Sequence, residues 1–191
     1  MPDKPRLLMI VGAATPTGRL AAAVAAAAEP ARAKAEIDTL NLAETPIEIC
    51  DGRPLANHGE ATRRAVEQVI GASAVLIAAP VYRASYPGVL KNLLDIAPVE
   101  ALQGKPVGIV AMGGSAHHFL GVDWQLRQVL GWFGALVAPT AVYLTGGDFK
   151  DGNLASESGL KDLAALCDTL VTLAKIEPAA LGPIPLAAKF T

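Results

Sequence analysis

The chain has 191 residues, 52% of them apolar and 18% charged, with a formal net charge of −2. That length and apolar content suit one globular α/β domain with a sizeable core and exclude a disordered chain. The near-neutral balance, without a basic stripe, argues against nucleic acid as a partner. The two cysteines, Cys50 and Cys167, lie far apart with no C-x-x-C, which points to a reduced, cytoplasmic setting rather than a disulfide framework.

The start, Met1 to Arg6, is charged, and Gly12, Pro16 and Gly18 interrupt the apolar stretch behind it, so no signal-peptide core is expected. Leu7 to Val11 is a continuous apolar run and reads as a buried first strand. Gly12 to Gly18 is a loop. Arg19 to Ala28 is alanine-rich and predicts a helix that Pro30 interrupts or ends. Glu36 to Leu42 alternates apolar and polar residues, as an edge strand does. Ala43 to Asn57, with Pro46, Gly52 and Pro54, is a polar loop.

Within Gly59 to Ile70, the residues Ala61, Ala65, Val66, Val69 and Ile70 recur at helical spacing. Ser73 to Ala79 predicts a third strand, and a helix enters at Pro87 and runs to Ile96. Pro106 to Met112 is a fourth strand, followed by Gly113-Gly114-Ser115 and a helix from His117 or Val122 to Phe133. Leu136 to Leu144 contains a fifth strand. The uncharged stretch Val129 to Thr145 carries glycines and Pro139 and is shorter than the about 20 residues that span a bilayer. Ser156 to Lys175 predicts a final amphipathic helix with Leu160, Leu163, Leu166, Leu170 and Leu173 on one face. Glu177 to Thr191 has three prolines and a glycine and reads as an extended tail. The expected organisation is one domain over residues 1–176 and a tail over 177–191.

Five strands alternate with five helices, and the uniformly apolar ones indicate a parallel sheet covered on both faces. For five such strands the common doubly wound order is the flavodoxin-like one, with ligands beyond the carboxyl ends of the strands. Three loops fall there. Gly12 to Arg19 leads into a helix N-terminus that favours a phosphate, with Thr15 and Thr17 as hydroxyl donors and Arg19 as a cation. It is neither a Walker loop nor G-x-G-x-x-G, and by itself it is equally an ordinary turn. Pro80 to Ser85 offers the Tyr82 ring, the Arg83 charge and backbone groups for a heterocycle edge; Tyr86 reads as a packing residue. Gly113-Gly114-Ser115 lets backbone approach a flat ring, or is simply a flexible turn.

Competing chemistries find less support. A serine nucleophile at Ser115 fails the elbow pattern because position 117 is His. His117 and His118 are adjacent and lack partners at metal-ligand spacing.

The segment APVYRASYPGVLKNLLD, Ala79 to Asp95, read together with GGSAHHFLGVDWQLRQVL, Gly113 to Leu130, resembles the NADPH-dependent FMN reductase family. Within it, the flavin reductases that serve two-component alkanesulfonate monooxygenases are the most similar. The resemblance runs from about Leu7 to Leu144. It implies a flavodoxin-like fold, FMN at the three-loop edge, NADPH stacking on the flavin, and homodimers or homotetramers built through the helices beside it. It places Thr15, Thr17, Gly18, Arg19 and Leu20 at the phosphate. Pro80, Val81, Tyr82 and Arg83 lie along the ring and ribityl chain. Gly113, Gly114 and Ser115 border the ring, with His117 close by.

The resemblance implies no essential acid, base or nucleophile, and a flavin-dependent monooxygenase, a quinone or a metal oxyanion as acceptor. The family's G-S-x-R-x-x-S-R-S loop is depleted to Gly12-Ala13-Ala14-Thr15-Pro16-Thr17-Gly18-Arg19-Leu20, which keeps a flavin-free scaffold open as the alternative. A flavodoxin-like electron carrier fits poorly with this loop and the balanced charge. In such relatives Gly121 to Leu126 carries a π-type insertion, where Trp124 either packs at an interface or closes a flavin path.

Overall fold

A computed structural model describes residues 4–15, 18–176 and 182–189. The described chain runs β1 (Arg6–Val11), α1 (Arg19–Ala31), β2 (Glu36–Asn41), α2 (Glu60–Gly71), β3 (Ala74–Pro80), α3 (Gly88–Ile96) and β4 (Pro106–Gly113). It continues through α4 (Leu120–Trp132), β5 (Leu136–Val137), β6 (Val142–Thr145), β7 (Phe149–Lys150), β8 (Asn153–Leu154) and α5 (Glu157–Leu173). The main sheet is parallel in the order β2-β1-β3-β4-β5, the flavodoxin-like arrangement.

Alternation along each strand divides the core in two. Leu7, Met9 and Val11 point to the face covered by α1 and α5; Leu8 and Ile10 point to the face covered by α2, α3 and α4. This is why the strand reads as unbroken apolar sequence: both faces need filling. Ala23, Ala27, Ala28 and Ala31 are buried on α1, and these short side chains let the helix lie close to the sheet and to α5. Gly108 serves the same end on β4, since a Cβ there would lie 3.0 Å from Leu170 and 3.1 Å from Leu166.

Several sequence expectations need correction. Helix α1 runs through Pro30 to Ala31; Pro30 is exposed in the last turn, so its missing N–H and its ring meet solvent rather than core. Pro87 stands before α3 as its N-cap, in extended conformation, rather than inside the helix. The fifth strand is two short pieces, β5 and β6, which pair with opposite halves of β4. Pro139 lies between them, where it can give no N–H to a ladder. Arg127 braces the break, donating to the Ala138 and Pro139 carbonyls at 3.0 and 3.1 Å and to Asp123 at 2.8 Å. Leu160 is 40% exposed, so the buried face of α5 consists of Leu163, Leu166, Leu170 and their neighbours.

Helix α4 is α-helical from Leu120 to Trp132, with no π turn, and is preceded by a 3-10 turn over Ala116–His118. The β7–β8 hairpin has no counterpart in the sequence reading. The tail expected as extended is partly coiled: Ala187–Lys189 form a 3-10 turn and Pro185 lies against Gly134. Residues 177–181 and 190–191 of that tail lie outside the described residues, as does Thr17.

Candidate functional site

The carboxyl ends of β1, β3, β4 and β6 bring four loops to one edge of the sheet. Two backbone bonds tie the first three together: Gly12 N–H donates to the Ala78 carbonyl at 2.7 Å, and Val81 N–H to the Met112 carbonyl at 2.8 Å. Gly12 needs its hydrogen side chain, because a Cβ would lie 3.1 Å from both the Ala78 oxygen and Leu90. The close approach of the β1 and β3 ends to the start of α3 follows from that one glycine.

The first loop delivers the N-terminus of α1. Gly18 is the N-cap, in extended backbone, and among the described residues no side chain caps the helix. The first-turn N–H groups therefore remain for a ligand, with the positive end of the helix dipole. Thr15 and Arg19 are exposed beside them. Leu20 is buried in the core, 6% exposed, so only its backbone is free to serve a ligand. The Arg19 guanidinium lies against the loop after β6, where a Cβ on Gly146 would be 3.1 Å from Nη1. That loop is held by a capping box, with Asp148 accepting from the Thr145 N–H at 2.7 Å and hydroxyl at 3.0 Å. Against the opposing pull of burial, those two donors hold the Asp148 carboxyl below its usual range.

The second loop is the least expected piece. Tyr82 and Ser85 exchange both backbone hydrogen bonds, at 2.7 and 3.0 Å. Between them Arg83 and Ala84 have φ of 50° and 63°. Positive φ at both central residues makes a type I′ turn, normally built from Asn and Gly. Here an arginine and an alanine occupy it, at a cost of about 1 kcal/mol or more for each residue. Backbone strain of this kind clusters at ligand clamps and switch regions. Tyr82 is 49% exposed. The turn rests on α4, where a Cβ on Gly121 would lie 3.1 Å from Val81 and 3.4–3.5 Å from Ala84 backbone atoms. Val81 spends its own N–H on Met112, so its carbonyl, not its N–H, is left for a ligand. Tyr86 is half-buried against the core, and burial pushes its hydroxyl pKa up, in keeping with a packing residue.

The third loop is set by a residue the sequence reading did not single out. Tyr143 on β6 fills the hollow over Gly113, where a Cβ would fall 1.9 Å from its Oη, and donates to the Ser115 carbonyl at 2.6 Å. Burial raises the Tyr143 pKa, which keeps the hydroxyl protonated and a donor. Gly114 is exposed, and a Cβ there would meet nothing within 4 Å, so its surface is open to a flat group. Ser115 Oγ and His118 Nδ1 are 3.2 Å apart, while His117 is exposed. No hydrolase triad follows from that pair: the nearby carboxylate, Asp123, is engaged by Arg127, and Ser115 sits in ordinary extended backbone with φ of −151° rather than in a strained elbow.

A cavity of about 760 Å³ opens at the same end of the sheet but to one side, between the loop after β2 and α3, with Ile49, Cys50, Lys91 and Asn92 in its wall. The Asn92 side chain holds that loop, donating to the Glu48 carbonyl and accepting from the Cys50 N–H, both at 2.9 Å. Among the described residues no group of three or more His, Cys, Asp or Glu side chains is placed to hold a metal ion, and no helix is long and apolar enough to cross a membrane.

The architecture and this edge define a doubly wound α/β protein of flavodoxin type, with a helix N-terminus and two turns brought together at the carboxyl ends of its strands. A sequence profile of the NADPH-dependent FMN reductases matches residues 5–149, and the chain belongs to that family. A protein of Geobacillus thermodenitrificans described as an NAD(P)H-dependent FAD/FMN reductase is 36% identical over 118 residues, 62% of this chain and 64% of that protein. The NADH-dependent FMN reductase SfnF of Pseudomonas fluorescens is 46% identical over 98 residues, 51% of each chain. The chain thus spans about half to two thirds of these curated relatives. Among solved structures, an oxidoreductase from Corynebacterium diphtheriae superposes with a TM-score of 0.70 at 27% identity, covering 90% of this chain and 97% of that one. A flavodoxin from the domain Archaea, at 10% identity and TM-score 0.63 over 90% and 99% of the two chains, shares the fold.

Proposed function

We propose that this protein is an NAD(P)H-dependent FMN reductase that passes reduced flavin to a flavin-dependent monooxygenase. The observation that carries the reading is the strained Tyr82–Ser85 turn, set beside an uncapped helix N-terminus and the open Gly114 surface at one sheet edge. The donors fit a phosphorylated flavin. The α1 N–H groups, the Thr15 and Thr17 hydroxyls, Gly18, Arg19 and the Leu20 backbone would hold the phosphate. Pro80, Val81, Tyr82 and Arg83 would line the ring and ribityl chain. Gly113, Gly114, Ser115 and His117 would border the ring on its other side.

When bound, FMN supplies the acceptor for the nicotinamide hydride. The protein's part is to orient the two rings and to exclude side reactions. Arg83, exposed at the tip of its turn, carries a charge suited to the phosphates of the nicotinamide nucleotide. The exposed Trp124 and Trp132 on α4, at 61% and 56%, support assembly into a homodimer or homotetramer on that side. The free thiols Cys50 and Cys167 fit a reducing, cytoplasmic setting.

The test combines quenching of flavin fluorescence on titration with steady-state oxidation of NADPH and NADH, with and without free FMN. Oxidation that accelerates with FMN is the expected result. Neither quenching nor acceleration at high FMN would leave a flavin-free scaffold, the reading that the serine-poor loop supports. Arg19→Ala removes one charge-assisted bond of about 1.5–3 kcal/mol, so FMN affinity should fall by about tenfold to a hundredfold while stability barely moves. Equal loss of FMN affinity in a remote surface arginine variant would remove the phosphate assignment.

A further inference from the structure

Arg19 opens α1, yet its side chain is settled by a distant part of the chain. The guanidinium lies against the turn after β6, where a Cβ on Gly146 would come 3.1 Å from Nη1 and 3.9 Å from Cζ. Gly146 does not have a positive φ, so what the contact exploits is its lack of a side chain. The turn itself is fixed on three sides. Thr145 pairs with Gly113 of β4. Asp148 accepts from the Thr145 N–H and hydroxyl. The Asp148 carbonyl accepts from the Ala155 and Ser156 N–H groups at 2.8 and 3.0 Å, which ties the turn to the start of α5. The neighbouring Gly147 is exposed, and a Cβ there would meet only Thr145 Oγ1, at 3.6 Å.

The cation placed there is uncommitted. Arg6, Arg53 and Arg127 are each paired with a carboxylate, whereas among the described residues Arg19 has no such partner. Asp148, the acid of the turn, directs its carboxylate at Thr145 instead. A free arginine surrenders rotamer freedom when it grips an anion; one already packed against backbone surrenders less, and its planar fork is aligned beforehand. We infer that Gly146 seats the Arg19 guanidinium for a phosphate at the N-terminus of α1, and that this seat sets a preference for phosphorylated flavin over riboflavin. This rests on the reading of the sheet edge as an FMN site. Gly146 is then a positioning residue, which acts on the flavin only through Arg19. The loop after β1 has no serine, so recognition of the phosphate falls more heavily on the seated arginine.

Dissociation constants of the full chain for FMN and for riboflavin, each read by quenching of flavin fluorescence, test the seat. In Gly146→Ala the ratio of the riboflavin constant to the FMN constant should fall about fivefold or more, because the new methyl displaces Nη1. Gly147→Ala should keep the wild-type ratio. Arg19→Lys keeps the charge but has no planar fork to seat, and should lower the ratio as Gly146→Ala does. Once Arg19 is replaced by alanine, adding Gly146→Ala should change the ratio no further. In the flavin-free protein, Gly146→Ala should shift the Arg19 Nε–H resonance and Gly147→Ala should not. Equal weakening of both flavins in Gly146→Ala, an unchanged ratio, or losses that add to those of Arg19→Ala would overturn the inference while leaving the FMN site in place. A wild-type chain that quenches neither flavin would instead remove the FMN site, and the role of Gly146 with it.

Discussion

Gly113 and Gly114 are neighbours of one type in one loop, yet they should respond oppositely to the same substitution. A Cβ on Gly113 would lie 1.9 Å from Tyr143 Oη and 2.9 Å from its Cζ. Gly113→Ala must therefore swing the ring away and break its 2.6 Å bond to the Ser115 carbonyl. Overpacking of this kind costs about 1–3 kcal/mol and the lost hydrogen bond about 1 kcal/mol, so about 2–4 kcal/mol is expected in all. For a chain of this size that lowers Tm by roughly 5–15 °C. Tyr143→Phe alone should cost about 1 kcal/mol. In the double variant the clashing oxygen is gone, so the combined loss should fall short of the sum by about 1 kcal/mol or more. Gly114→Ala, with nothing within 4 Å, should stay within about 0.5 kcal/mol of the wild type. Urea unfolding of the four variants reads all of this. Equal stabilities for Gly113→Ala and Gly114→Ala, or strict additivity with Tyr143→Phe, would refute the placement of Tyr143 over the third loop.

Three further outcomes follow from named contacts. Ala84→Gly relieves a residue held at φ of 63° and should stabilise the fold by up to about 1 kcal/mol in chemical denaturation, while loosening the turn and so weakening FMN retention in the same titration used above. Asn92→Ala removes two 2.9 Å bonds that hold the loop after β2 to α3; about 1–3 kcal/mol of stability should be lost, with faster amide exchange at Cys50 as the local sign. Lys105 donates to the Val69 and Ile70 carbonyls at 2.6 and 2.9 Å, and burial lowers its pKa from 10.5 to about 8. Between about pH 8 and 10.5 the unfolded chain then binds the extra proton, so this group makes stability rise with pH across that window. The rise should be missing from Lys105→Met when the two unfolding free energies are compared pH by pH.

Periodicity and punctuation in the sequence were enough to place the strands and helices along the chain, while the order of strands across the sheet followed from the common doubly wound arrangement and not from periodicity. Runs such as Leu7–Val11 and Ala74–Ala79 are apolar throughout because each residue serves one of two helical layers, and that requirement is written locally. The Pro80–Ser85 and Gly113–Ser115 turns were legible for a similar reason, since turn residues and glycines announce themselves. Pro139 was visible too, but its consequence, a fifth strand split into β5 and β6, depends on which half of β4 each piece meets. The left-handed Arg83-Ala84 pair contradicts local preference and exists because Tyr82 and Ser85 close the turn around it while α4, thinned at Gly121, supports it.

Tyr143 beneath Gly113, Arg19 against Gly146, and Ser115 beside His118 answer to a different determinant. The first two join residues about 30 or more than 100 positions apart, and the third depends on a 3-10 turn ahead of α4 where the sequence left the helix start open between His117 and Val122. Burial patterns are set by each residue's own hydrophobicity and recur along the chain, so they can be read in place. Contacts between loops are set by strand order and by the space left between packed layers, and those come into being only when the whole sheet has assembled.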